Sequence, residues 1–275
     1  MISALQKLED GTISLTVTIP ASRIEETRKE VLKETAQKAE VPGFRKGKAP
    51  ENLVEEKADE EKIKEEILRK LLPQTYLEAI QENKLNPIVS PQIHVQKLDK
   101  DSEWQYTALT CEAPVVDLGN YKEEIKKLTA KSKIIVPGKE PTPIAFEEIT
   151  KVILENVKVN VPKIIIEREV DRLLSQTLDE VKRLGMTLDQ YLASTGRSVE
   201  ALRAEYETRS TNDIKLEFAL QKIADEEKIN VTDKEIEESI KSAKTVEERK
   251  NLEANRYLLA TIIRQRKTLD FIKSL

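Results

Sequence analysis

Near the start of the chain, a strand pattern is followed by a helix pattern. In residues 12–19, apolar side chains alternate with hydroxyl side chains. The apolar residues are Ile13, Leu15, Val17 and Ile19. This spacing predicts a half-buried strand. Beyond it, Ser22 and Glu25 form a Ser-x-x-Glu capping box ahead of apolar residues at helical spacing. We therefore predict a helix that ends at about Ala39.

A second helix and a hairpin follow. Helical spacing returns after Asp59, a residue suited to cap a helix, and Pro73 inside it predicts a kink. Residues 88–113 then alternate on both sides of a polar turn at 99–102, which predicts two paired strands. Together these elements predict a compact α+β domain over residues 1–115.

The second half of the chain has a different pattern. Prolines and a glycine interrupt a Lys-rich stretch at residues 116–145, which predicts a linker. Residues 146–275 have helical periodicity throughout, so we predict an all-α domain with a last helix from Leu252 through Ile272. The expected helix boundaries are Pro162, Gly185, Ser198 and three capping boxes, Thr187 with Gln190, Thr232 with Glu235, and Thr245 with Glu248.

Charge and composition exclude several classes of protein. The chain has 46 Lys and Arg against 50 Asp and Glu, a net charge of −4. A general nucleic-acid coat would be strongly basic, and a disordered acidic protein would have a large net charge and few apolar residues. No apolar run reaches the 18 or so residues of a membrane span, and the N-terminus lacks the regions of a secretory signal. We expect a cytosolic protein.

Few residues offer catalytic or metal-binding chemistry. The one Cys and the one His exclude an intrachain disulfide and a Cys/His zinc site. His94 is expected on a strand face, and Cys111 as a half-buried, inert thiol. No glycine-rich phosphate loop is present, and the paired glutamates are flanked by lysines, as on solvated helix faces. No cofactor or metal is predicted.

One loop departs from this picture because it is basic and rich in glycine. It reads Gly43-Phe44-Arg45-Lys46-Gly47-Lys48-Ala49-Pro50. Arg45 can bind two phosphate oxygens at once, while Lys46 and Lys48 act as point charges. Phe44 can stack on a base or fill an apolar pocket of a protein partner. The alternative is a plain connection with the phenylalanine packed beneath it.

This loop resembles a known family. It matches the Gly-Phe-Arg-x-Gly-Lys-x-Pro signature of trigger factor, the bacterial ribosome-associated chaperone, at every fixed position. Residues 1–115 resemble that family's ribosome-binding domain, and residues 161–172 and 220–236 are similar to its helical substrate-cradling domain. The resemblance implies an α+β ribosome-binding domain followed by an all-α helical domain.

The resemblance also implies partners and a site. Phe44, Arg45 and Lys46 would contact ribosomal RNA and a ribosomal protein of the large subunit beside the exit tunnel. The implied ribosome-binding residues are Gly43, Phe44, Arg45, Lys46, Gly47 and Lys48. Nascent or unfolded polypeptides would be the clients, without ATP, and roles in protein transport and cell division would follow. No membrane or DNA partner is expected, the residues of the client cradle are not identified, and a homodimer off the ribosome stays open.

One departure from the family matters for catalysis. Family members usually carry a prolyl isomerase domain between the two halves, whereas only about residues 116–145 are available here, fewer than a domain needs. We therefore expect a form without the isomerase domain that is not an enzyme. Two alternatives remain: a non-ribosomal helical scaffold or assembly protein, and a prolyl isomerase by homology only, against which the short segment argues.

Overall fold

A computed structural model describes residues 2–38, 59–99, 102–132 and 145–275 of the chain. The chain divides into an N-terminal unit, residues 1–113, and a C-terminal unit, residues 114–275. Each unit has its own hydrophobic core.

A four-stranded antiparallel sheet is the centre of the N-terminal unit, with strand order β1-β2-β4-β3. Its strands are β1 (Ile2–Lys7), β2 (Thr12–Ile19), β3 (Gln92–Lys97) and β4 (Trp104–Cys111). The predicted alternation in β2 is confirmed, since its apolar side chains are buried. Strand β1 was not predicted, because it lies at the sheet edge with exposed residues such as Leu5 and carries no clear alternation.

In the described part of this unit, two helices pack on one face of the sheet. They are α1 (Ala21–Lys38) and α2 (Glu60–Glu82). The cap at Asp59 is confirmed, as its carboxylate accepts a hydrogen bond from the Glu61 backbone N–H at 3.1 Å. The predicted capping box at Ser22 is wrong, because α1 begins at Ala21 and Ser22 therefore lies inside the helix. The Pro20 carbonyl accepts the first backbone hydrogen bonds of α1. The core between helices and sheet includes Leu15, Val17, Ile19, Ile24, Val31, Ile63, Ile67, Leu71, Trp104 and Tyr106.

The C-terminal unit begins just before the segment that was predicted as a linker and includes it. It opens with β5 (Val116–Asp117), α3 (Tyr121–Ser132), α4 (Phe146–Asn156) and β6 (Lys158–Val159), and β5 pairs with β6. The linker is therefore wrong for residues 116–132, because Leu118, Tyr121 and Ile125 are buried in the core of this unit. The sequence of α3 is rich in lysine, so its short apolar stripe did not suggest a buried helix. Residues 133–144 lie outside the described residues.

Six further helices complete the C-terminal unit. They are α5 (Lys163–Arg183), α6 (Leu188–Thr195), α7 (Val199–Glu226), α8 (Asp233–Lys241), α9 (Val246–Ala254) and α10 (Arg256–Ser274). The three predicted capping boxes are all present, and Gly185, with φ +72°, follows the end of α5. The single last helix is wrong, because Asn255, with φ −116° and ψ 37°, divides it into α9 and α10.

His94 and Cys111, the residues of their type in the chain, both lie on strands of the sheet. His94 is exposed on β3, as expected. Cys111 is fully buried rather than half-buried and lies at the end of β4, opposite the buried Thr12 of β2. Within the described residues, no helix combines the length and the apolar character that crossing a bilayer requires.

The burial of α3 can be tested by one substitution. Ile125→Ala should lower the free energy of unfolding of the C-terminal unit by about 2–5 kcal/mol, because Ile125 is fully buried. Circular dichroism during urea unfolding would measure this, while the fluorescence of Trp104, the one tryptophan, reports on the N-terminal unit. The exposed neighbour substitution Lys126→Ala is the control, and equal effects of the two would contradict the packing of α3.

Candidate functional site

The predicted ribosome-binding residues are Gly43, Phe44, Arg45, Lys46, Gly47 and Lys48, and all of them lie outside the described residues. What the structure describes is the pair of helices that the segment joins. Helix α1 leads into the segment after Lys38, and α2 leaves it at Glu60. The assignment of the six residues therefore stays a prediction.

Ion pairs between described residues join α1 to α2. Arg23 binds Glu78 through two contacts of 2.6 and 2.7 Å, Lys70 binds Glu34 at 2.6 Å, and Arg28 binds Glu60 at 3.0 Å. The hydrogen bond from Arg23 holds the pKa of Glu78 below its ordinary value. Exposed pairs of this kind contribute only about 0–1 kcal/mol each. These ion pairs help to fix the position of α1 relative to α2, in addition to the apolar packing between the two helices.

A groove with both apolar and polar lining opens on the surface of the C-terminal unit between α7 and α10. Its volume is about 610 Å³. Leu220, Ala224 and Thr268 are buried in it, whereas Tyr257 and Leu258 on its rim are 88% and 58% exposed. The other lining residues are Glu217, Gln221, Asn230, Val231, Ala260, Thr261, Arg264 and Gln265. An exposed apolar surface with polar neighbours suits contact with another polypeptide.

The turn between α7 and α8 forms one wall of this groove, through Asn230 and Val231. At its far side, Glu235 accepts hydrogen bonds from the Lys267 ammonium at 2.7 Å and from the Thr232 backbone N–H at 2.7 Å. The bond from Lys267, followed by those from the backbone and side chain of Thr232, lowers the pKa of Glu235 to about 2. The carboxylate thus stays ionised and holds the start of α8 against α10.

The groove was not predicted from the sequence. A signal was present in the three consecutive apolar residues Tyr257, Leu258 and Leu259. Three adjacent helical positions span more than half of the helix circumference, so one apolar core cannot cover all of them. Leu259 is buried, whereas Tyr257 and Leu258 are exposed. Across the described ranges, no group of three or more His, Cys, Asp or Glu side chains is arranged to hold a metal ion.

Comparison with protein families assigns both parts of the chain. Residues 1–140 match the family described as bacterial trigger factor protein, and residues 144–274 match the family of the trigger factor C-terminus. The chain belongs to the trigger factor family. The resemblance inferred from the loop signature is confirmed, and so is the expected fold, an α+β part followed by a helical part.

Individual relatives agree with this assignment. The trigger factor of Clostridium kluyveri is 36% identical over 126 residues, which cover 46% of this chain but only 29% of that relative. That of Carboxydothermus hydrogenoformans is 23% identical over 415 aligned positions, covering 97% of both chains. A solved trigger factor chaperone structure, described for promiscuous substrate recognition in folding and assembly activities, has a TM-score of 0.62 at 15% identity, with 98% and 99% of the two chains covered.

The long alignment locates a difference from other trigger factors. A 415-position alignment with a 275-residue chain leaves at least 140 positions of the relative without a counterpart here. Because the alignment covers nearly all of both chains, this difference is internal. The two family matches are separated by only residues 141–143, as in a trigger factor that lacks the central domain.

The low pKa of Glu235 predicts how acid affects the C-terminal unit. The folded pKa of about 2 lies below the ordinary value of 4.5, so ionised Glu235 stabilises the folded state above the ordinary pKa. This contribution should disappear as the pH falls from about 4.5 towards 2. Glu235→Gln should therefore lower the urea midpoint near neutral pH, and the gap to wild type should close in acid. A gap that stays constant down to about pH 2 would contradict this.

Proposed function

We propose that this trigger factor family member is an ATP-independent chaperone of the cytoplasm. It docks beside the ribosomal exit tunnel through residues 43–48 and shields nascent polypeptides while they fold. Family membership, together with the complete loop signature, carries this proposal. The partners are the large ribosomal subunit, through RNA and protein, and unfolded chains.

The chemistry of the loop supports docking to a ribosome. Arg45, Lys46 and Lys48 supply three cations with no acid among them, so phosphate oxygens are suitable partners. Phe44 adds an apolar anchor of the kind that dominates protein interfaces. Ion pairs and apolar packing fix α1 and α2, the two helices that this segment joins, against each other.

The groove between α7 and α10 is proposed as a contact surface for client chains. Exposed Tyr257 and Leu258 offer apolar contact without a deep, selective pocket. Gln221, Asn230 and Gln265 can exchange hydrogen bonds with any backbone, whatever its sequence. Contacts of this kind are individually weak, so clients of different sequence can bind and leave quickly.

Catalysis of prolyl isomerisation is not part of the proposal. The two family matches leave only residues 141–143 between them, and no isomerase domain fits into such an interval. In a prolyl peptide assay, we expect the protein to behave as an unrelated control protein of equal concentration does. Catalysis clearly above that control would overturn this part of the proposal.

Ribosome docking is tested by co-sedimentation with vacant large ribosomal subunits. The wild-type protein should pellet at low salt, and its affinity should fall with a log–log slope of about −2 to −3 for three phosphate contacts. The triple variant Phe44→Ala, Arg45→Ala, Lys46→Ala should stay in the supernatant. Its fold should be unchanged, because the loop lies outside the predicted core segments.

A matched control removes one apolar side chain and two cations elsewhere in the same unit. Leu77, Lys62 and Arg69 on α2 are exposed, and their triple alanine variant should pellet as the wild type does. Retention of the loop variant on ribosomes would reject the assigned residues. If no protein pelleted, a non-ribosomal scaffold or assembly role would be favoured.

A further inference from the structure

Two cations of α10 lie one helical turn apart beside the turn that walls the groove. They are Arg264 and Lys267. Each binds one backbone carbonyl of the same turn and one carboxylate of a flanking helix. Arg264 donates to the Ile229 carbonyl at 2.8 Å and to Asp225 at 2.6 Å. Lys267 donates to the Asn230 carbonyl at 2.6 Å and to Glu235 at 2.7 Å.

This arrangement joins three helices at one point. Asp225 lies in the last turn of α7 and Glu235 in the first turn of α8, and both are bound to the same face of α10. Charge-assisted hydrogen bonds are shorter and about twice as strong as neutral ones. The four contacts therefore hold residues 229 and 230 at a fixed distance from α10.

The turn itself has a conformation that benefits from such support. Lys228 has φ +55°, in the left-handed region that residues other than glycine seldom adopt. The Ile229 N–H donates to the Ala224 carbonyl at 2.8 Å and the Lys228 N–H to the Asp225 carbonyl at 3.2 Å, which completes the end of α7. These bonds fix the turn to α7 alone. Its distance from α10 is set by Arg264 and Lys267 together with the packing of Val231 against an apolar cluster that includes Leu259 of α10.

That distance sets the width of the groove. Asn230 and Val231 form one wall, and Tyr257, Leu258 and Thr261 of α10 face it from the other side. We propose that Arg264 and Lys267 are positioning residues that keep the groove open at a width suited to one polypeptide segment. This inference rests on the proposed binding of clients by the groove. Of the two, Lys267 acts through the turn only, because it does not line the groove.

Lys267 therefore gives the cleaner experiment. The probe is a short, uncharged, dansyl-labelled peptide of alternating leucine and serine, titrated with the full chain and followed by fluorescence anisotropy. Lys267→Gln should weaken its binding about tenfold, because both contacts to the turn and to Glu235 lose their charge. Lys267→Arg keeps the charge and should restore most of the affinity. Lys273→Gln, the same change at an exposed position of α10, should bind as the wild type does.

Amide hydrogen exchange without peptide gives a second measurement. In Lys267→Gln, the Thr232 N–H, which donates to the Glu235 carboxylate, should exchange about tenfold faster than in wild type, whereas the N–H groups in the core of α7 should not change. Faster exchange with wild-type affinity for the peptide would overturn the positioning role and leave a purely structural contact. Unchanged exchange and unchanged affinity would also overturn the role of Lys267 in holding the turn.

Failure of the proposed groove can be told apart from failure of the positioning role. The groove variant Leu258→Ser should bind the peptide more weakly, since it removes an exposed rim side chain and touches neither cation. If wild type and Leu258→Ser bind equally or not at all, the groove is not the client surface, and the positioning proposal falls with it. If only Leu258→Ser weakens binding, the groove stands and the role of Lys267 is rejected.

Discussion

Packing around helix α7 is the interaction on which the C-terminal unit depends. Its buried side chains Leu220 and Ile223 belong to a core that is completed from both ends of this unit. Ile125 of α3 reaches this core from one end of the sequence, and Ile272 of α10 reaches it from the other. With aromatic residues at only 4% of the chain, the core is built mainly from aliphatic side chains, whose burial contributes about 1.5–3 kcal/mol each.

The groove follows from the same packing. Leu220 belongs both to the buried core and to the lining of the groove, so the surface offered to a client continues the surface that holds the unit together. An apolar floor of this kind cannot collapse without loss of the core. The wall formed by the turn is held by the polar contacts of Arg264 and Lys267 and by the packing of Val231 in a second apolar cluster with Leu259. The floor and this wall are therefore held by different sets of side chains.

The elements that could be predicted from sequence are those determined by local chemistry. The capping boxes at Thr187, Thr232 and Thr245 appeared as predicted, because each is satisfied by a residue only three positions away. Strand β1 and helix α3 were missed, since their own patterns are short or largely polar and their burial depends on other elements. The break at Asn255 has a similar origin, because the apolar pattern runs through it without a proline or glycine.

The two candidate sites also differ in how far they can be predicted from local sequence. The basic loop is a contiguous motif, so its chemistry can be inferred from eight consecutive residues, whereas the groove combines α7, the following turn and α10. Sequence patterns record what a helix buries, but not which distant backbone its polar face contacts.

The packing of α3 against α4 also explains how this chain can differ internally from its longer relatives. The interval between the two family matches, residues 141–143, falls between these helices. Ile125 on one side of it and Ile149 and Ile153 on the other are buried in one core. The two helices are thus fixed by contacts with each other, α3 also by α10 and α4 also by α7, independently of what the chain carries between them. A domain can be present or absent at such a position without a change in the core, because no core residue belongs to it.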